Sequence, residues 1–159
     1  MTTPDIIRLL QLVPHPEGGY YRETYRSSQT IGAAGSETRN VSTAIYYLLE
    51  GQDKSHFHRI KSDELWFFHQ GQPLEIILLL DGQATIVTLG NDFAAAEVPQ
   101  ATIPANTWFA ARVKHGTGYA LVSCTVAPGF DFADFELANR EGLTVEFPQL
   151  AGLVGELTR

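Results

Sequence analysis

The stretch HFHRIKSDELWFFHQG, residues 56–71, decides how the chain is read. One residue separates His56 from His58, and Glu64 follows six positions after the second histidine. On a strand, side chains two apart point to the same face, so His56 and His58 are expected to aim into one cavity. Glu64, at the start of the next strand, joins them from across a turn. Two imidazoles and a carboxylate are a donor set for manganese, iron, nickel or zinc, according to what fills the remaining positions. Without a metal, the same groups suit proton transfer, because a neutral imidazole is a general base near pH 7. His56, His58 and Glu64 are therefore the candidate catalytic residues, and the same three are the candidate metal ligands.

Outward from this stretch the chain reads as short strands. Residues 64–69, 74–80 and 84–89 are candidates, the last two joined by Asp81-Gly82, a two-residue hairpin signal. Residues 101–103, 108–113 and 119–126 continue the pattern, and upstream residues 20–25 and 41–49 have the same character. Residues 27–38, rich in Gly and Ser, read as a flexible connection. Strands spaced this way, with no helices between them, argue for an antiparallel sandwich or barrel. Helices are expected only at the ends. Thr3, Pro4 and Asp5 make a helix start, Ile6, Ile7, Leu9, Leu10 and Val13 an apolar stripe, and Pro14 and Pro16 the stop. The stretch PQLAGLVGELT, residues 148–158, reads as a short terminal helix.

Composition narrows the class of protein. A chain of 159 residues with 44% hydrophobic and 18% charged residues suits one globular domain, residues 1–159. A net charge of −7 without a basic stripe argues against a nucleic-acid partner. The single cysteine, Cys124, lies in the apolar run GYALVSCTV and reads as a buried, inert thiol. No basic leader and no membrane-length apolar run stand out, so a cytoplasmic protein without a membrane partner is expected.

Gly51, His56, His58, Glu64 and Gly71 resemble the first motif of the cupin superfamily. The intervals depart slightly, with four residues between Gly51 and His56 and five between His58 and Glu64. The second cupin motif carries Pro, Gly and then a metal-binding His. Its counterpart here is IPANTWFAARV, where Pro104 matches, Asn106 replaces the Gly, and Phe109 falls where the His is expected. The stretches HPEGGYYRETYRS, STAIYYLL, HFHRIKSDELWFFHQG and VAPGFDFADFEL together resemble one subgroup, the cupin 5 or DUF985 family, over nearly the whole chain. The resemblance implies an RmlC-like cupin: an all-β antiparallel jelly-roll β-barrel with short N- and C-terminal helices. It also implies a homodimer and a pocket for a small-molecule ligand. RmlC-type sugar epimerases use a His base and a Tyr acid without a metal. By that likeness His56 or His58 is the base, Glu64 or Asp63 orients it, and Tyr46, Tyr47 or Tyr119 is the acid.

The leading expectation is thus a metal-independent isomerase or epimerase of a sugar-like molecule, with no cofactor. The alternatives are a non-catalytic ligand-binding protein and a metal-dependent dioxygenase or isomerase with a divalent transition metal on His56, His58 and Glu64. Trp66, Phe68, Trp108, Phe109 and Tyr46 are candidate ligand-stacking residues, and Arg22 offers a bidentate fork to a carboxylate or phosphate. Because Trp66, Phe67 and Phe68 are consecutive, both faces of their strand are apolar, and a partner subunit is expected to cover the outer one. In HPEGG, residues 15–19, the paired glycines suit a tight turn. His15 and Glu17 beside it are placed to reach the pocket mouth or a neighbouring subunit.

Overall fold

The fold is given by a computed structural model that describes residues 1–32 and 37–159. It opens with helix α1 (Thr3–Leu10), then strands β1 (Val13–Pro14), β2 (Tyr20–Arg26), β3 (Thr30–Ile31), β4 (Arg39–Asn40), β5 (Thr43–Glu50) and β6 (Lys54–Arg59). Next come β7 (Asp63–Gly71), β8 (Leu74–Leu80), β9 (Gln83–Leu89), β10 (Gln100–Ile103), β11 (Phe109–Val113), β12 (Tyr119–Ala127) and β13 (Glu136–Leu137). Helices α2 (Arg140–Glu146) and α3 (Ala151–Glu156) close the chain. Two antiparallel sheets face each other, ordered β1-β2-β5-β12-β7-β10 and β13-β6-β11-β8-β9. The all-β reading and the terminal helices hold. Hydrogen-bonded strand pairing among the described residues leaves the two sheets separate, so the jelly roll is a sandwich and not a closed barrel.

Alternation decides what each strand contributes. Tyr47 and Leu49 of β5, Trp66 of β7, Ile76 and Leu78 of β8, Phe109 and Ala111 of β11 and Val122 of β12 point between the sheets and form the main core. The intervening residues face outward. On the five-stranded sheet, Phe57, Ile77, Leu79 and Ala110 pack against Leu143, Phe147, Val154 and Leu157 of the C-terminal segment. On the six-stranded sheet, α1 lays Ile6 over Leu48 and reaches Tyr20, Tyr46 and Leu121. Those two covers explain why the sheet interiors and much of their outer faces are apolar.

Local signals landed one or two residues from their expected places. The helix cap is Thr2, whose hydroxyl accepts from the Asp5 N–H while the Asp5 carboxylate accepts from the Thr2 N–H. The helix ends at Gln11, in the left-handed region at φ 55°, so Val13 and Pro14 belong to a strand and the prolines do not supply the stop. Asp81 and Gly82, at φ 52° and 74°, form the anticipated turn. The 27–38 connection contains a small hairpin in which Thr30 pairs with Asn40 and Ile31 with Arg39; its residues 33–36 lie outside the described residues. Helix α2 has no counterpart in the sequence reading, because only Leu143 of its seven residues is buried and its apolar stripe is correspondingly faint.

One irregularity matters most. Phe109 pairs with His58 and Ala111 with Ser55, so two steps along β11 match three along β6. This is a β-bulge, and it breaks the period-two alternation on β6. Ser55 and His58 are buried toward the other sheet, Phe57 packs outward beneath the C-terminal helices, and His56 is turned to the rim. The expectation that His56 and His58 share one cavity fails here for that reason.

Gly18 sits against β6 at φ 113°, and a Cβ there would lie 1.9 Å from the Lys54 carbonyl oxygen. Gly18→Ala is expected to destabilise the fold by more than about 2 kcal/mol in thermal or urea melts. Gly155→Ala, in α3 with no atom within 4 Å of the new methyl, is expected to add roughly 0.5–1 kcal/mol.

Candidate functional site

The turn HPEGG joins β1 to β2 and closes on itself: the His15 N–H donates to Gly19 O at 2.9 Å and the Gly18 N–H to His15 O at 3.0 Å. It docks on the bulged strand through Glu17. The His56 backbone N–H reaches the Glu17 carbonyl oxygen at 2.8 Å, and its ring Nδ1 reaches the same oxygen at 2.7 Å. A carbonyl only accepts, so Nδ1 of His56 carries the proton. His56 thereby clamps the turn, and the Glu17 side chain enters the space between the sheets. There its Oε2 lies 2.9 Å from Nε2 of His58.

His58 is held from both ends. Its Nδ1 donates to the His56 carbonyl oxygen at 2.7 Å, while Nε2 meets Glu17. Burial alone would lower the imidazole pKa, but the Glu17 carboxylate outweighs it and the net shift is upward. Burial would raise Glu17, and the adjacent His58 charge reverses that and holds the carboxyl at about 2. The pair is therefore an imidazolium and a carboxylate at neutral pH. His15 differs. Its Nδ1 accepts from the Glu17 backbone N–H at 3.1 Å, and burial lowers its pKa, so the ring is neutral with its proton on Nε2. His15 Nδ1 also lies 3.8 Å from the Glu17 carboxylate, but with that nitrogen already accepting, the contact is not an ion pair.

Glu64, on the inward face of β7, is 7% exposed, and its carboxyl lies beside the Trp66 indole and the Cys124 thiol. Burial, reinforced by the negative charge of Glu17 and opposed by His58, pushes it up to about 7. The Trp66 indole N–H on the Glu64 side and the Ser55 hydroxyl on the Glu17 side are buried without a partner. The cavity among these groups measures about 40 Å³, room for on the order of three waters. Tyr21, Ile45, Phe130, Phe135 and Cys124 complete its wall. The His15 ring stands edge-on to Tyr21 at 4.5 Å, and Phe135 lies 5.5 Å from the His58 ring. Burial pushes the Cys124 thiol well above its usual value, in keeping with an inert residue.

Of the residues singled out from sequence, His58 and Glu64 meet in this cavity. Phe109 stacks against His58 with ring centroids 4.2 Å apart, as the motif comparison implied. Trp66 and Phe68 belong to the adjoining core. Four others lie elsewhere. His56 lines a separate polar groove with Lys54 and Arg159. Tyr46 and Arg22 are on the outer face, where the Arg22 guanidinium sits 5.7 Å over the Tyr46 ring and donates to Gln11. Trp108 is buried under the C-terminal helices with Arg59 over its ring at 4.2 Å. Their neighbours Tyr47, Tyr21 and Phe109 point inward, so alternation sends these three outward. His15 and Glu17, which the sequence placed at the pocket mouth or against a neighbouring subunit, enter the cavity itself from the 15–19 turn, and Tyr21 of β2 with Phe130 and Phe135 of the 127–135 segment, not singled out as site residues, join them. Their signal was the Gly18-Gly19 pair, which permits the turn to approach β6.

A metal does not suit this arrangement. His58 has both ring nitrogens engaged, His56 is turned away, His15 Nδ1 accepts a backbone proton, and Phe109 occupies the remaining corner. Among the described residues no group of three or more His, Cys, Asp or Glu side chains has the geometry to hold an ion. The set His56, His58 and Glu64 is not a ligand set in this fold.

Two stability measurements check the electrostatics. Glu17→Gln leaves a buried imidazolium unpaired and is expected to cost about 3–5 kcal/mol. Glu64 has a folded value near 7 against 4.5 for the ordinary group, so its ionisation opposes folding as pH rises through that window. Glu64→Gln is expected to stabilise the protein at pH 8 by on the order of 3 kcal/mol. The gain should shrink below pH 7 and vanish below about 4.5, read from melts across pH.

The comparisons bear on the fold and the family. The family model for the cupin superfamily (DUF985) matches residues 4–138. An uncharacterized protein of Saccharomyces cerevisiae is 34% identical over 146 residues, covering 82% of this chain and 72% of its own. The crystal structure of a Shewanella oneidensis protein superposes with a TM-score of 0.93 at 40% identity, covering 100% of this chain and 98% of that one. A hypothetical protein from Leishmania major superposes at 0.91 with 35% identity, covering 99% of each. Oxalate decarboxylase from Bacillus subtilis shares the fold alone, at a TM-score of 0.57 and 14% identity over 91% of this chain and 36% of that one. With the jelly-roll sandwich, the bulged histidine strand and the matched motifs in agreement, the chain belongs to the DUF985 family of the cupin superfamily.

Proposed function

We propose that the cavity between the sheets binds a small molecule and moves a proton on it, as an isomerase or epimerase of a sugar-like or related carbonyl compound without a resident metal. One observation carries this reading: Glu64 is a buried carboxyl that lines the cavity and has its pKa pushed up to about 7. Such a group is costly to keep in an apolar site, and its value suits it to accept and return protons near neutrality. The role of base thus moves from histidine to glutamate. His58, with both nitrogens committed, is a positioning residue that keeps Glu17 ionised and sets the local field. In the reaction, ionised Glu64 takes the proton from the carbon beside a carbonyl, the C–H pair forms a C=C bond, and the carbonyl π pair moves onto the oxygen. His15, whose proton is on Nε2, and Tyr21 line the same cavity and are the donors proposed to stabilise that oxygen. Return of the proton to the other face epimerises the carbon; its return to the neighbouring carbon, with the adjacent hydroxyl's proton passing to the first oxygen, isomerises the compound; either restores ionised Glu64.

The test is deuterium incorporation from D2O into a set of free aldoses and ketoses, followed by proton NMR. Exchange at the carbon beside the carbonyl is expected with the native protein, falling about 10²–10⁴-fold in Glu64→Gln. Absence of exchange in every sugar, with a ligand still bound, would favour the second reading, a non-catalytic binding protein. The predominantly aromatic and aliphatic wall, including Tyr21, Ile45, Phe130 and Phe135, supports that alternative.

We further propose a homodimer in the cytoplasm. Among the described residues no helix is long and apolar enough to cross a membrane. Leu65 and Phe67 are half-buried on the outer face of β7, whereas the Leu48, Tyr20 and Leu121 part of that sheet lies under α1. Phe67→Asp is expected to shift the protein from dimer to monomer in light scattering at micromolar concentration, with an unchanged circular dichroism spectrum. A native protein that is monomeric there defeats the dimer.

A further inference from the structure

The charge inventory of the cavity constrains its ligand. Glu64 is 7% and His15 9% exposed, and Nδ1 of His15 is taken by the Glu17 backbone N–H, which leaves the proton on Nε2. Both groups line the cavity, as does the Glu17–His58 pair, which neutralises itself. Among the described residues no Arg or Lys lines it. The cations on flanking segments are committed elsewhere: Arg39 to Asp134 at 2.8 Å, Arg26 to Glu23 at 2.6 Å and Arg59 to Glu136 at 2.8 Å. Lys61 lies 3.7 Å from Asp134. An anionic head group would enter a closed, largely apolar space beside two carboxyl groups with no cation free to meet it, and burying a charge unpaired is expensive. An ammonium would stand beside the His58 imidazolium and would need Glu64 to ionise.

We propose that the cavity selects a small uncharged molecule bearing a hydroxyl or carbonyl oxygen, and rejects phosphorylated and ammonium-bearing ones. This deepens the proton-transfer reading, on which it rests for the identity of the site. The oxygen receives hydrogen bonds from the protonated Glu64 carboxyl and from His15 Nε2–H, while Phe130 and Phe135 cover the carbon skeleton. The size fits a compact body: three waters displace roughly 90 Å³ at about 30 Å³ each, the scale of a single six-membered ring. A nucleotide-linked sugar, with its two phosphates, falls outside both limits.

Three probes of equal body and different head test this: cyclohexanol, cyclohexylammonium and cyclohexyl phosphate, titrated by calorimetry and NMR near pH 6, where Glu64 keeps its proton. Cyclohexanol is expected to bind at least about tenfold more tightly than either charged probe. Glu64→Gln, whose amide still donates, should hold cyclohexanol within about threefold, and Glu64→Leu should weaken it about tenfold. Circular dichroism melts establish that both variants fold. Equal or tighter binding of the phosphate or the ammonium overturns the proposal, as does binding by none of the three. Cyclohexanol preference without sugar exchange would sink proton transfer and leave this selectivity standing. Exchange together with a charged-probe preference would do the reverse.

Discussion

The Glu17–His58 ion pair, buried between two sheets, is the interaction around which the rest of the molecule is arranged. Neither member tolerates burial alone, since the desolvation of a lone carboxylate or imidazolium costs several kcal/mol. The pair persists because its surroundings hold both members in place: Nδ1 of His58 meets the His56 carbonyl, and the Glu17 backbone meets the two donors of His56 and the acceptor nitrogen of His15. A turn, a bulged strand and an ion pair thus form one cooperative unit. Loss of the glycine contact, of the bulge or of either charge would undo the same arrangement.

That unit also explains the state of Glu64. With the imidazolium already spent on Glu17, no full positive charge is left to hold a second carboxylate ionised, and burial keeps the proton on Glu64 up to near neutrality. Two acids in one cavity thereby acquire opposite behaviour, one ionised throughout the physiological range and one poised within it. This separation is the usual physical basis for dividing roles between neighbouring carboxyl groups. It is also a stability cost kept at the site and offset by the core and the two outer covers.

Phe109 gives the same logic from the other side. In the matching position of the second cupin motif the resemblance placed a metal-binding histidine, and here a phenyl ring packs at 4.2 Å on His58. The ring closes one flank of the imidazolium without offering a donor, so His58 turns to Glu17. The aromatic residues of the 127–135 segment, Phe130 and Phe135, then cap the opposite side. Their acids do not join the site. Asp131 caps a short helical turn and Asp134 binds Arg39, which ties the cap to the β3–β4 hairpin.

Much of this was legible in the chain itself. The short β-forming runs from Leu74 to Leu89, the Asp81-Gly82 turn and the absence of helices between strands pointed to an antiparallel all-β fold, because strand propensity and turn chemistry are local properties. The resemblance to the two cupin motifs placed the His58 imidazole, the Glu64 acid and the Phe109 ring in one neighbourhood. Which imidazoles converge was not local. A single extra residue on β6, visible only in its pairing with β11, turned His56 outward. Contact of Gly18 with Lys54 carried His15 and Glu17 across some 40 positions of sequence into the cavity in its place. Sequence by itself determined the kinds of groups and the strands that bear them. The tertiary structure decided which of them share a low-dielectric space, since register and long-range docking, unlike period, depend on the partner strand.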